Sequence, residues 1–340
     1  MESGDGKYPV RSSADQNLRT ETLRIMESLT SRIDVRFNRA HHRFALFAAI
    51  WVFGLIIFGA LVTSNDAGLS VPDWPTSFGS LYRIPPLNGG VFYEHIHRMI
   101  AQGAGLLTII LAIWTQRVDR RSWMRKLGWI ALGTVVAQGI LGGLTVLFFL
   151  PPAISSAHAT LAQTYFCIMI SIALFTSRSW MEGKSLHIPQ PERPRTTTLA
   201  FATVGVVWLQ LIFGAAFRHN GMKLMWHLAW FVVVLTMITW LSMRILRTHR
   251  EIGVLRRTVY WLMALLSIQI LLGFGAFVTR VILGADAPQP MQSLVIFTVA
   301  HVAVGALVLA TTLVLAIQAR RNLAVTAEEV ITDPGKALIA

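Results

Sequence analysis

The stretch His97–Arg117, HRMIAQGAGLLTIILAIWTQR, sets a histidine and an arginine at the head of a run with no further charge until Arg117. Wound as an α-helix at 1.5 Å per residue, such a run crosses the ~30 Å hydrocarbon core of a bilayer. The same kind of run recurs along the chain. Spans are expected at about 44–63, 95–116, 127–150, 154–177, 198–217, 224–243, 258–279 and 293–317. Composition agrees: 54% of the 340 residues are hydrophobic and 14% charged, against about a quarter charged in soluble domains. The fold class read from this is an all-α polytopic membrane protein with eight transmembrane helices.

A net charge of +13 would suit nucleic acid in sum, but not in distribution. With eight spans, both termini and every second loop share one side. That side carries 25 of the 30 Lys and Arg residues; the other has Arg83, Arg218, Lys223 and Arg280, with Arg98 at a helix start. By the positive-inside rule both termini are cytoplasmic. The basic charge sets topology, and the partner it implies is the lipid bilayer rather than nucleic acid.

The first 40 residues lack the apolar centre of a secretory signal, and their six acidic residues argue against an acid-poor transit peptide. Residues 1–43 are expected to form a polar cytoplasmic arm, with an amphipathic helix around Leu23, Met26, Ile33 and Phe37. The single cysteine, Cys167, lies within the fourth span. It excludes an intrachain disulfide and any cysteine-based metal site, and reads as a small buried hydrophobe.

The spans echo one another. The third, fifth and seventh contain QGILGGLT, QLIFGAAFR and QILLGFGAFVTR, each with a glutamine four residues before a glycine: Gln138 and Gly142, Gln210 and Gly214, Gln269 and Gly273. The first span keeps only the glycine, Gly59. Small residues let helices approach closely in lipid, and a buried glutamine needs a partner. The even spans each place a histidine in their first turns: His97, His158, His227 and His301. Two halves follow, 44–177 and 198–317, joined by a cytoplasmic linker at 178–197 and followed by a tail at 318–340.

One ionisable residue within a span is a functional hypothesis by itself. Four, one in every even span at similar depth, point to metal. Cysteine ligands are excluded, and paired imidazoles across a helical bundle suit the axial positions of a haem iron. Pairing within halves gives His97 with His158 and His227 with His301. His95 competes with His97. Steps of three and four from His97 reach Ala101, Ala104, Gly105 and Thr108, a small-residue face, whereas those from His95 reach Arg98, Met99, Gln102 and Leu106. His97 is the better ligand. His41, His42, His187, His219 and His249 read as loop or rim residues. Arg98, Arg218, Lys223 and Arg280 either meet haem propionates or anchor helix ends.

Glu94 stands three residues before His97, on its helix face. The corresponding positions before the other histidines hold Ser155, Leu224 and Thr298. Only one pocket has an acid, so the first half reads as a reaction site and the second as a permanent redox cofactor. A carboxyl beside a haem can exchange protons or stabilise developing positive charge; pairing with Arg98 or capping the helix is the alternative.

The outer-loop segment TSNDAGLSVPDWPTSFG (Thr63–Gly79), the EHIHR of the second span and the single histidines of the later even spans together resemble the haem A synthase family over about 44–318. The resemblance implies an oxidoreductase of the bacterial cytoplasmic membrane. It converts haem O to haem A by successive hydroxylations of a ring methyl, for cytochrome oxidase assembly. It further implies Glu94 as catalytic, His97 and His158 flanking the substrate haem O, and His227 and His301 holding haem b. Haem O synthase and a quinol or other electron donor are compatible partners, as is a homo-oligomer. Many bacterial members carry a cysteine pair in the first outer loop; here Val71 and Ser77 stand there, so no thiol relay is possible. Pro72, Trp74 and Pro75 suit a stiff lid over the haem edge. The competing reading is a bis-histidine b-type cytochrome that passes electrons, linked to quinol, without altering its haem. It leaves Glu94 and the PDWP loop idle.

Overall fold

The computed structural model describes residues 37–80, 84–284 and 288–324. Its long helices are α1 (Arg39–Ser64), α2 (Gly90–Val118), α3 (Ser122–Leu147), α4 (Pro152–Thr176), α5 (Thr196–Arg218), α6 (Leu224–Thr248), α7 (Gly253–Phe277) and α8 (Gln292–Asn322). All eight are long and apolar enough to cross a membrane, α7 with the π-helical turn Val278–Ile282 that continues it. The chain is thus a multi-pass membrane protein, as its hydropathy requires. The helices outrun the expected spans: α2 starts at Gly90, so Glu94 lies inside it, and α8 runs on to Asn322. Most of the expected N-terminal arm, Arg83, and the tail from 325 on lie outside the described residues.

Helix α1 packs on α2 and α4, and α3 packs on both α2 and α4, closing a four-helix bundle. In the second half α5 packs on α6 and α8, and α7 on α8, but α6 and α7 touch only lightly. The α2–α3 pair is closer because a Cβ at Gly128 would stand 3.4 Å from Cα of Ala112. The halves meet where α1 packs on α8, and α4 on α5 and α8. The core along that seam includes Ala45, Ala48, Ala49, Ile172, Ala316 and Ala319. Small side chains bring the backbones together where lipid offers no hydrophobic drive. Leu106, Trp226, Trp261 and Phe274 point outward, as lipid-facing residues do.

The end opposite the four histidines is fastened by polar contacts. His41 Nε2 lies 2.9 Å from Thr115 Oγ1, His42 Nδ1 3.2 Å from Thr176 Oγ1, and His249 Nε2 3.1 Å from Thr196 Oγ1. The linker adds a short parallel pairing of Ile188–Pro189 with Leu323–Ala324. Arg321 lies 4.3 Å from the centre of the Trp180 ring and donates to the carbonyls of Ser179 and Gly183. Buried histidines here join helix ends and leave the other end free for the site.

Candidate functional site

At the histidine end one contact occurs four times. A Cβ at Gly59 would stand 3.1 Å from Cε1 of His97, at Gly142 3.1 Å from that of His158, at Gly214 3.0 Å from that of His227, and at Gly273 2.9 Å from that of His301. Each imidazole lies in the notch of the glycine on the preceding helix, so the repeated glycines are seats for rings. The repeated glutamines explain themselves the same way, since residues i and i+4 share a face. Gln138 Nε2 lies 3.1 Å from His158 Nδ1 and donates to the His158 carbonyl at 3.0 Å. Gln210 Nε2 donates to the His227 carbonyl at 3.1 Å, and Gln269 Nε2 lies 3.2 Å from His301 Nε2. Position 55, the equivalent in α1, is leucine, so His97 lacks an amide neighbour of this kind.

The rings of His227 and His301 have centroids 6.3 Å apart and planes inclined at 76°. Two imidazoles bonded at about 2 Å to opposite sides of one metal ion have ring centres roughly 6 Å apart. The Nδ1 atoms of His97, His227 and His301 are buried without a hydrogen-bond partner. Such a vacancy costs about 1–3 kcal/mol, and a metal bond is what a neutral imidazole nitrogen takes in its place. Among the described residues no three His, Cys, Asp or Glu side chains converge on one point. The separation of His227 and His301 is thus the one that two ligands on opposite sides of a single iron would have.

Glu94 is 3% exposed. Its Oε2 accepts the backbone N–H of Val71 at 2.8 Å, and its Oε1 takes Nη2 of Arg98 at 2.6 Å. Arg98 reaches further along the same loop, donating to the carbonyls of Val71 (3.0 Å), Asp73 (2.6 Å) and Thr76 (2.8 Å). The pairing of Glu94 with Arg98 expected from their spacing is present, and it extends into a clamp on the outer loop. The loop is shaped from within by Asp73, whose carboxylate accepts from Thr76 Oγ1 and from the N–H groups of Phe78 and Gly79. Phe78 and Gly79 both have positive φ, and Ser77 and Ser80 pair across them as in a tight hairpin. Partial burial alone would raise the Asp73 pKa, but these hydrogen bonds outweigh it and hold the carboxyl at about 2. Trp74 lies flat against α3, where a Cβ at Gly143 would come within 2.5 Å of its indole. The loop thus lies across the first half from α2 to α3, with Val71 and Ser77 buried within it.

The rim arginines Arg218 and Arg280 have protein partners. Arg218 donates through Nη2 to the Ala60 carbonyl at 2.9 Å and to Ser64 Oγ at 2.6 Å. Ser64 in turn lies 2.9 Å from Thr298 Oγ1, which joins α5, α1 and α8 across the seam. Arg280 lies 5.2 Å above the Phe217 ring. His219, read from sequence as an ordinary rim residue, is half-buried at the C-terminal end of α5. Burial first, and then the neighbouring Arg218 guanidinium, push its pKa down to about 4.

Eight membrane-length helices, with a histidine seated on a glycine of the preceding helix in each of four helix pairs, define a multi-pass membrane protein with an internally repeated histidine motif. The sequence profile of the family described as cytochrome oxidase assembly protein (COX15-CtaA) matches residues 42–89 and 87–228. The chain belongs to this family. Among its relatives, a haem A synthase of Lysinibacillus sphaericus is 26% identical over 195 residues, covering 56% of this chain and 62% of the relative. One of Symbiobacterium thermophilum is 28% identical over 249 residues, covering 64% and 79%. One of an Exiguobacterium species is 30% identical over 192 residues, covering 53% and 60%. The chain thus spans about three fifths of the length of the Lysinibacillus relative.

Proposed function

We propose that this chain is a haem A synthase, an oxidoreductase of the bacterial cytoplasmic membrane. It takes haem O between His97 and His158 and oxidises one ring methyl to a formyl group by successive hydroxylations. The observation that carries this reading is an asymmetry between the two histidine pairs: among the described residues, one has a buried carboxylate and a clamped loop beside it and the other has neither. His227 and His301 would hold haem b, which when bound supplies one-electron redox chemistry. Gln210 and Gln269 orient those two imidazoles, as outer hydrogen bonds orient metal ligands generally.

Glu94 is the residue placed to exchange a proton or face positive charge at the substrate. Both its oxygens are engaged, one by the Val71 N–H and one by Arg98. Lifting the loop and freeing Oε2 are therefore one event, so access and the state of the carboxylate change together. Trp74 on Gly143 excludes water from the same side, where charge interactions strengthen as water leaves.

Co-expression with a haem O synthase in a host lacking haem A, followed by LC–MS of the extracted haems, tests the proposal. Haem A or its hydroxylated precursor is expected with the wild type and not with Glu94→Ala. Unmodified haem O and haem b alone, with a normal bis-histidine spectrum and an active electron donor, would instead make the protein an electron-transfer cytochrome.

A further inference from the structure

The face of α2 that carries His95 turns away from the His97 ring and lines a cavity of its own. Pro75 and Ser77 of the outer loop form one side, and His95, Arg98, Met99 and Gln102 form the other. His95 is 8% exposed, and its Nδ1 is buried without a partner. This is a built polar group waiting for a ligand, at a cost that a satisfied core histidine does not carry. Below the cavity the same stripe of α2 continues as Leu106, Ile109 and Ile113, all exposed on the lipid-facing surface.

We propose that this cavity binds the ring of a lipid-soluble quinol, with its isoprenoid tail along the Leu106–Ile113 stripe. The imidazole and the Gln102 amide offer both donors and acceptors to ring hydroxyls or carbonyls. Pro75 and the Met99 thioether supply apolar and sulfur contacts to a flat ring. An anionic headgroup is a poorer match, because the terminal N–H groups of Arg98 are already given to Glu94 and to three loop carbonyls. A water-soluble ligand gains nothing from the apolar stripe. The assignment rests on the proposed hydroxylations. With dioxygen as oxidant, each puts one oxygen atom into the methyl C–H bond and reduces the other to water with two electrons and two protons from the quinol, which leaves as quinone. The assignment itself concerns binding alone. Because Arg98 and Pro75 belong to both the cavity wall and the clamped loop, occupancy of the cavity would bear on the loop that holds Glu94.

The probe is decylubiquinone, whose oxidised ring binds without turnover. It is titrated calorimetrically into the full chain, with its haem, in nanodiscs. Saturable binding is expected in the wild type, at least tenfold weaker in His95→Leu and in Gln102→Leu. Binding should be abolished in Met99→Trp, which fills the cavity from its exposed edge and leaves the core untouched. An unchanged low-spin haem spectrum certifies each fold. Wild-type binding no greater than that of empty nanodiscs overturns the site, and so does binding by Met99→Trp equal to that of the wild type. The assay uses no haem O. A chain that binds the quinone but converts no haem O therefore removes the proposed function alone, and one that converts haem O without binding the quinone removes this site alone.

Discussion

In α1–α4 the first histidine stands three residues after Glu94, and in α5–α8 the corresponding position is Leu224. Around that difference much else is alike: ring on glycine in every hairpin, and an amide beside three of the four rings. The divergence is confined to the loop end. The first half has Arg98 gripping three loop carbonyls, Trp74 lying on Gly143, and no amide at position 55. The second half has Thr298 tied to Ser64 and Gln210 set on the His227 carbonyl. Under the proposed function, the second half is a fixed holder and the first half has gained a carboxylate and a cover. The halves share how a ring is seated and differ in what can reach it.

The strongest way to break this comparison is to unseat one pair. His227→Ala or His301→Ala should remove the low-spin haem spectrum of the second half entirely, while His97→Ala and His158→Ala leave it intact. If His97→Ala abolished the whole spectrum, the halves would not be independent sites. Next, Glu94→Ala should slow haem O conversion by about 10²–10⁴-fold with the second half's spectrum unchanged, whereas Leu224→Glu should add no conversion. Equal effects of the two would erase the asymmetry.

Arg98→Met sharpens the role of the clamp. It leaves Glu94 buried without its cation, which costs about 3–5 kcal/mol when a buried pair is broken. Amide exchange in the loop around Val71 to Gly79 should therefore accelerate at least about a hundredfold, while Arg218→Met leaves that loop protected. A smaller effect belongs to the amides. Gln210→Leu should weaken haem retention in the second half by about 10–100-fold, as loss of an outer hydrogen bond does elsewhere, with the first half unaffected. The smallest is the pH response of the loop. The Asp73 pKa is held at about 2, below its usual 3.8. Its contribution is thus complete above about pH 4 and is lost as pH falls toward 2. Exchange at the Phe78 and Gly79 amides should rise over that window in the wild type and be insensitive to it in Asp73→Asn.

Much of the site was legible because it repeats. The stripe of Ala101, Ala104, Gly105 and Thr108 favoured His97 over His95 as a ligand; the structure seats His97 on Gly59, and the ligand role itself belongs to the proposal. The glutamine–glycine spacing signalled a buried amide in need of a partner, and that partner is the histidine or its carbonyl. What could not be read were contacts with no sequence spacing to carry them. His41 with Thr115, and Arg218 with Ala60 and Ser64, join positions far apart in the chain. The rim arginines were read as propionate contacts or helix anchors, and the structure gives Arg98 to a loop and Arg218 to the seam.

The sequence by itself determined the eight spans and the order of histidines, glutamines and glycines along them, because hydropathy and helical period act within single segments. Only the tertiary structure decided that Glu94 is held by the Val71 amide, that Arg98 clamps the loop over it, and that the stripe of His95 lines a cavity. Those outcomes depend on where a loop without periodicity comes to rest against α2 and α3. That resting place is set by hydrogen bonds to backbone atoms, which every residue carries alike.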